Sequence, residues 1–317
     1  MYTRNMKAEV MNGKRESRIT TYGALLFFIF ILASLASSCG ARDRAADAGQ
    51  PRAEQTPALI LLVIPATREA ATRTAWQTLL REQGIAVPES ALNLSPVTKT
   101  ITALPVNLRL PRVGDPAATG EQRATNERES LRRFINANST LTGANGNTLT
   151  LLGIEDLANN TRRARYEHRP FVYPLRGGYG RITIDYTTDN RVLNLTSTAL
   201  PEASAVNERV SALRARLTAD EARAALGGKI VEIKSSNGSA DQRTLPVDAE
   251  SLRQRVRATE LTVFPVPVAS EGDEGRIVLH LAWELRFEEA GTPYFVYVDA
   301  NSGEILDADS NREQSQS

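Results

Sequence analysis

From Ile277 to Phe287 every odd position is apolar (Ile277, Leu279, Leu281, Trp283, Leu285, Phe287), while the even positions include His280, Glu284 and Arg286, with Glu288 just beyond. A period of two with one apolar face predicts a half-buried antiparallel strand, because successive side chains on a pleated backbone point to opposite sides. Glu289-Ala290-Gly291-Thr292 predicts a turn, and Tyr294 to Val298 supplies the aromatic and β-branched residues that suit a pleat. Asp299, Asn301, Ser302 and Gly303 predict a second turn, since short polar side chains bond their own backbone and glycine tolerates positive φ. Ile305 and Leu306 resume the sheet. The expectation is a three-stranded meander that closes a domain and contains no catalytic group.

The start of the chain is of another kind. Arg4, Lys7, Lys14, Arg15 and Arg18 precede an apolar core, Gly23 to Ala33, that is short for a membrane span. Leu35-Ala36-Ser37-Ser38-Cys39-Gly40 follows, and small residues directly before a cysteine resemble a bacterial lipobox. That resemblance implies a signal peptide over residues 1–39 and lipidation of Cys39, the only cysteine. An ordinary secretory signal with an incidental cysteine, or an uncleaved anchor, is the alternative. Ala36 stands where leucine is preferred, one place after Leu35. Several acyl chains would anchor the protein stably, and Gly40 rather than aspartate after the cysteine resembles a lipoprotein released to the outer membrane where the cell has one. Residues 40–56 are small, polar and charged and read as a flexible tether.

Beyond the tether, residues 57–112 predict a small α/β subdomain or an elaboration of the next unit: a strand from Ala58 to Ile64, then a helix capped by Thr67, buried through Ala71, Ala75, Trp76, Leu79 and Leu80 and ended at Gly84. Proline and glycine from Pro111 to Glu121 make a linker. Residues 122–202 predict a helix from about Thr125 to Asn136 and a curled antiparallel sheet, with turns at Ala144–Asn147, Asn159-Asn160 and Asp189-Asn190. In residues 203–309, Thr218-Ala219-Asp220-Glu221 predicts a capping box, Lys229–Ile233 a strand, Ser235–Arg243 a loop and Leu261–Val268 an extended run. Residues 310–317 read as a disordered tail. The fold class is α+β, with antiparallel sheets each packed by one or two helices.

Two motifs carry a family resemblance. Leu281-Ala282-Trp283-Glu284-Leu285, Tyr294, and Val298-Asp299-Ala300-Asn301-Ser302-Gly303-Glu304-Ile305-Leu306 resemble the end of a PepSY domain, the module in the propeptides of thermolysin-like metallopeptidases. Leu217-Thr218-Ala219-Asp220-Glu221-Ala222 resembles its opening helix. The middle part resembles the FTP domain that precedes PepSY in such propeptides: Arg165-Tyr166-Glu167-His168 stands for its "R-[FY]-x-Q" strand and Pro174-Leu175-Arg176-Gly177-Gly178 for its "P-V-[FY]-G-G" loop. His168 replaces that pattern's glutamine, and a loop glycine is missing near Arg169-Pro170. The resemblance covers about residues 125–307 and implies cystatin-like FTP and PepSY units. It implies Tyr166, His168, Pro174, Arg176, Gly177 and Gly178 as partner-binding residues and Trp283, Tyr294, Asp299, Gly303 and Glu304 as a structural motif.

Catalytic chemistry finds no foothold. Thermolysin-like zinc sites need His-Glu-x-x-His, whereas His168 and His280 are the only histidines and neither has a second histidine four residues away. Asp299, Asn301 and Glu304 imitate a calcium loop without its twelve-residue ladder, and Gly177-Gly178-Tyr179-Gly180 is not followed by a helix N-terminus as a phosphate cradle would be. No metal, no cofactor and no enzymatic activity are expected. With charged residues at 24% and a net charge of +1, no nucleic acid is expected either. The sequence ends where such a propeptide would run on into its catalytic domain. Two readings remain open: a membrane-anchored, propeptide-like module that binds, inhibits or assists the folding of an extracytoplasmic metallopeptidase, and an envelope structural or binding lipoprotein with no peptidase partner.

Overall fold

The computed structural model describes residues 59–310, apart from 87, 89–90, 105–106, 116, 235–239, 247, 270–271 and 290. The signal peptide with Cys39, the tether and the tail at 311–317 lie outside the described residues. The architecture is mixed α+β with largely antiparallel sheets.

Strand β1 (Ile60–Ile64) alternates buried and exposed residues. Helix α1 (Thr67–Gln83) follows, burying Trp76, Leu79 and Leu80 and ending at Gly84, whose φ of 66° a side chain would disfavour. The expected Thr67 cap is not used: Ala66 takes the N-cap position in a helical conformation, and Thr67 is already inside the helix. Strands β2 (Asn93–Leu94) and β3 (Ile101–Ala103) form a two-stranded sheet, and β4 (Leu108–Arg109) leads out of this part.

Helix α2 (Gly120–Ala137) starts five residues before the expected position and buries Leu131, Phe134 and Ile135. Helix α3 (Ser139–Thr142) and a 3-10 turn (Gly146–Thr148), capped by the Asn145 side chain, precede β5 (Leu149–Asp156), β6 (Thr161–His168), β7 (Arg181–Thr187) and β8 (Arg191–Ser197). Asn159, Asn160 and Asn190 hold the intervening turns at positive φ, a conformation that asparagine tolerates better than most residues. These strands make a sheet of order β4-β8-β7-β6-β5, so the front segment's last strand joins the middle sheet.

A 3-10 turn (Ala203–Val206) and α4 (Asn207–Ser211) lead to α5 (Ala219–Ala224). There Thr218 and Glu221 form the expected capping box. Strands β9 (Ile230–Lys234) and β10 (Ala240–Thr244) pair antiparallel, where a loop was expected for most of the second; its run Ala-Asp-Gln-Arg-Thr has no apolar period because it lies at a sheet edge. Helix α6 (Ala249–Arg255) then feeds β11 (Val256–Val268), β12 (Gly275–Glu289), β13 (Thr292–Asp299) and β14 (Ile305–Asp309). The last three form the expected meander.

Strand β12 is long enough to serve two partners along one side, β1 against Gly275–Leu279 and β13 against Ala282–Glu289, with β11 along the other. The front segment, expected as a small subdomain or an elaboration of the next unit, lends one strand to each large sheet. A core under α2 joins Trp76 and Leu131 to Ile184 and Tyr186, while a second joins Ala222, Leu226 and Leu252 to Leu285 and Val298. Among the described residues no helix is long and apolar enough to cross a membrane.

Candidate functional site

Strand β11 pairs with β12 on one side only, and its open edge is partly taken by the loop between β6 and β7. Val263 N–H donates to Pro174 O at 2.9 Å and Arg176 N–H donates to Val263 O at 3.1 Å, which makes Leu175 a parallel bridge partner of Val263. Because both polar groups of Val263 point outward, Pro265 and Pro267, two and four residues on, sit where an outward N–H would otherwise stand unpaired. Proline is at home there, and it blunts an edge against adventitious pairing. The loop motif is thereby stitched by backbone hydrogen bonds to β11, the strand beside the one that carries Trp283 and Glu284.

Side chains continue the stitch. Leu175 is buried beside Val263, Ile277 and Leu279, while Arg176 turns to the other face of the sheet. There its Nε donates to Glu284 Oε2 at 2.7 Å and its second terminal nitrogen donates to Glu260 Oε1 at 2.5 Å. Glu167 Oε1 lies 3.8 Å from the guanidinium. Glu284 is 0% exposed and also accepts from Thr259 Oγ1 at 2.7 Å. Burial alone would lower the Arg176 pKa, but Glu284 and then Glu260 outweigh it and hold the guanidinium above its ordinary value. A charge in this position stays charged, because removing either partner would leave the other uncompensated in a low-dielectric site.

Gly177 and Gly178 bend the chain away at φ of 68° and 78°. A Cβ on Gly177 would meet the Phe264 ring at 2.9 Å, whereas one on Gly178 would meet nothing. Gly177 is therefore required by contact as well as by conformation, and Gly178 by conformation alone. Next to the seam lies a cleft of about 680 Å³, bounded by Glu167, Arg169, Val172, Pro174, Arg181 and Glu260 among others. Burial lowers Arg181 to about 10, and Val172 at the loop tip is 70% exposed.

The remaining sequence-derived candidates divide. Pro174, Arg176, Gly177 and Gly178 lie at the seam. Tyr166 and His168 do not present side chains to a partner: both are buried, Tyr166 in the core under α2 and His168 with its Nδ1 unpartnered. Burial raises the Tyr166 hydroxyl pKa and lowers His168 to about 4. Their period-two spacing on β6 already placed them on one face, and that face turns out to be the covered one.

The C-terminal motif is a framework. Trp283 Nε1 donates to Leu217 O at 2.9 Å, and Tyr294 stacks on Phe287 with centroids 5.1 Å apart. Asp299 Oδ1 accepts from Asn301 N–H and Ser302 N–H, both at 2.8 Å, and its Oδ2 lies 2.7 Å from His280 Nδ1. Burial pushes the Asp299 pKa up, but His280 and the two amides outweigh it and hold the carboxyl below its ordinary value. Gly303 closes the turn at φ 76°, and Glu304 contributes its carbonyl to Asp299 N–H at 2.8 Å while its side chain is exposed. Among the described residues no group of three or more His, Cys, Asp or Glu is placed to hold a metal ion.

Sequence reasoning missed Glu260, Glu167 and Thr259, and it assigned Glu284 to a solvent face. Ala282 on the same face of β12 was the available hint that this face is covered.

No family model matches the chain, and no curated protein does. Among solved structures it is similar to the Bacillus megaterium YpeB C-terminal domain, over 76% of this chain and 96% of that one, with 8% identity and a TM-score of 0.30. A likeness at that score carries no argument about this chain.

Proposed function

We propose that this chain is a non-catalytic, lipid-anchored binding protein whose residues 122–309 act as a propeptide-like FTP and PepSY pair of cystatin-like units, engaging an extracytoplasmic metallopeptidase to inhibit it or assist its folding. The observation that carries this reading is the seam. The two segments that resemble the FTP loop and the PepSY strand meet through Arg176 and Glu284, so the resemblance falls on residues that act together and not on two unrelated stretches. Propeptide-like binding relies on shape and sheet-edge contact, and requires no chemistry of its own from the binder. The cleft beside the seam, with its mixed charge and its exposed Val172, supplies a surface of that kind.

Anchoring rests on Cys39, with the outer membrane as the destination where the cell has one. Incorporation of labelled palmitate, abolished by Cys39→Ala, tests it. Partner binding is tested by purifying the anchored chain from its own envelope: a metallopeptidase should co-purify with the parent and be lost with Val172→Asp. Recovery of the folded chain without any peptidase would leave the envelope structural or binding role.

A further inference from the structure

Strand β5 is the last strand of the middle sheet and pairs with β6 alone. The other edge strands are shorter or blocked: β2, β3 and β4 have two or three residues and β1 and β10 five each, while β11 carries Pro265 and Pro267 and is stitched to Pro174–Arg176. By contrast β5 runs for eight residues, Leu-Thr-Leu-Leu-Gly-Ile-Glu-Asp, with neither proline nor lysine to blunt it. A register shift between Leu151 and Gly153 is its one interruption.

Gly153 lies at that register shift, and its own backbone angle does not demand a glycine. Its φ is not in the left-handed region, and a Cβ built on it would meet nothing within 4 Å. A glycine inside a strand marks a bulge or a place where another backbone comes close, and the open space beside Gly153 leaves room for such an approach at the bulge. Clefts flank the same point. One of about 510 Å³ lies between α2 and β5, with Ala124, Leu151 and Ile154 as apolar walls. Another, of about 130 Å³, lies on the opposite face beside Glu155 and Arg165. Leu152, 45% exposed, borders both.

Charge identifies the occupant. In the helix-side cleft Glu127 is neutralised by Arg162, at 2.5 Å. Arg128 is exposed and makes no hydrogen bond or ion pair among the described residues. We propose that the open edge of β5 takes up an extended peptide as an additional strand, with an apolar side chain against Leu151 and Ile154 and an acidic side chain, two residues along, on Arg128. Backbone pairing supplies affinity and the alternate side chains supply selectivity, as in strand addition generally. The inference stands whether or not the partner is a peptidase.

The test uses the full chain in lipid nanodiscs and synthetic valine-threonine peptides matching β5 in length, with one glutamate stepped along the peptide, beside a matched lysine set. Hydrogen exchange followed by mass spectrometry should slow across Leu149–Asp156 with members of the glutamate set, and those should bind at least about tenfold more tightly than their lysine counterparts. Arg128→Glu should reverse that preference. Gly153→Val should fold as the parent does, since its backbone angle is ordinary and the space is open, and should lose the protection. Absence of protection with every glutamate peptide would overturn the proposal, as would undiminished binding to Gly153→Val. Protection of β5 without peptide that grows with chain concentration would overturn it in favour of a second copy.

Discussion

Arg176 and Glu284, 108 residues apart in sequence, meet at 2.7 Å through Nε and Oε2. One belongs to the loop after β6 and the other to the long strand β12, and Glu284 is wholly buried. The pair helps to fix the face of the sheet on which the loop lies, because separating the two would leave the wholly buried carboxylate without this cation.

Breaking this pair should be expensive. Arg176→Met leaves the Glu284 carboxylate buried without its cation and should destabilise the protein by about 3–5 kcal/mol. Joint replacement, Arg176→Met with Glu284→Leu, should recover much of that, since the wholly buried carboxylate is then gone and the remaining acids, Glu260 and Glu167, keep some contact with solvent. Urea unfolding followed by tryptophan fluorescence measures both. A single variant that loses less than about 1 kcal/mol would show that water reaches the pair.

His168 makes stability depend on pH. Its folded value of about 4, lowered by burial, means that the unfolded chain takes up a proton there first as the pH falls. The stabilisation is complete above the unfolded value of about 6.5 and is lost as the pH falls toward 4. The full difference is on the order of 3 kcal/mol. His168→Gln should flatten the stability curve between about pH 6.5 and 4, read from urea midpoints. Parallel curves for parent and variant would contradict the buried, neutral imidazole.

The two loop glycines should respond differently. Gly178→Ala adds only the strain of a left-handed residue, about 1 kcal/mol, because no atom stands in the way. Gly177→Ala adds the same strain plus contact with the Phe264 ring, and should cost at least about 1 kcal/mol more. Equal losses would mean that Phe264 moves aside freely.

Much of this was legible in the sequence where the signal was local. The alternation from Ile277 to Phe287, the Thr218–Glu221 capping box and the turns at Asn159, Asn160 and Asn190 all depend on residues within a few positions of one another. Long-range effects were not legible. Glu284 looks like a solvent-facing residue of an alternating strand until Arg176 arrives from another sheet. Tyr166 and His168 look available in a motif, yet the face they share is covered by α2 and its neighbours. Strand β10 has no apolar period because an edge strand needs none, and only its pairing with β9 reveals it. The candidate site was half visible: its loop could be read, whereas its acidic partners Glu260 and Glu167 could not.

Asp299 should govern acid sensitivity at the C-terminal turn. Its pKa lies below the ordinary value of 3.8, so its contribution is present above about pH 4 and is lost as the pH falls through the folded value. Asp299→Asn keeps one acceptor but loses the charge opposite His280, and should cost about 1–3 kcal/mol at neutral pH. The variant should also lose part of the parent's acid-dependent destabilisation. Circular dichroism during acid titration checks this, and unchanged stability at neutral pH would place the turn's strength in its backbone alone.

The central claim is tested most directly by titrating the chain into thermolysin-type metallopeptidases while peptide hydrolysis is followed. The account predicts saturable inhibition, weakened at least about tenfold by Val172→Asp or by changes in Pro174–Gly178, with Cys39→Ala having no effect. Full activity across a panel of such enzymes, with the added chain shown to unfold cooperatively, would contradict it and leave the envelope binding role.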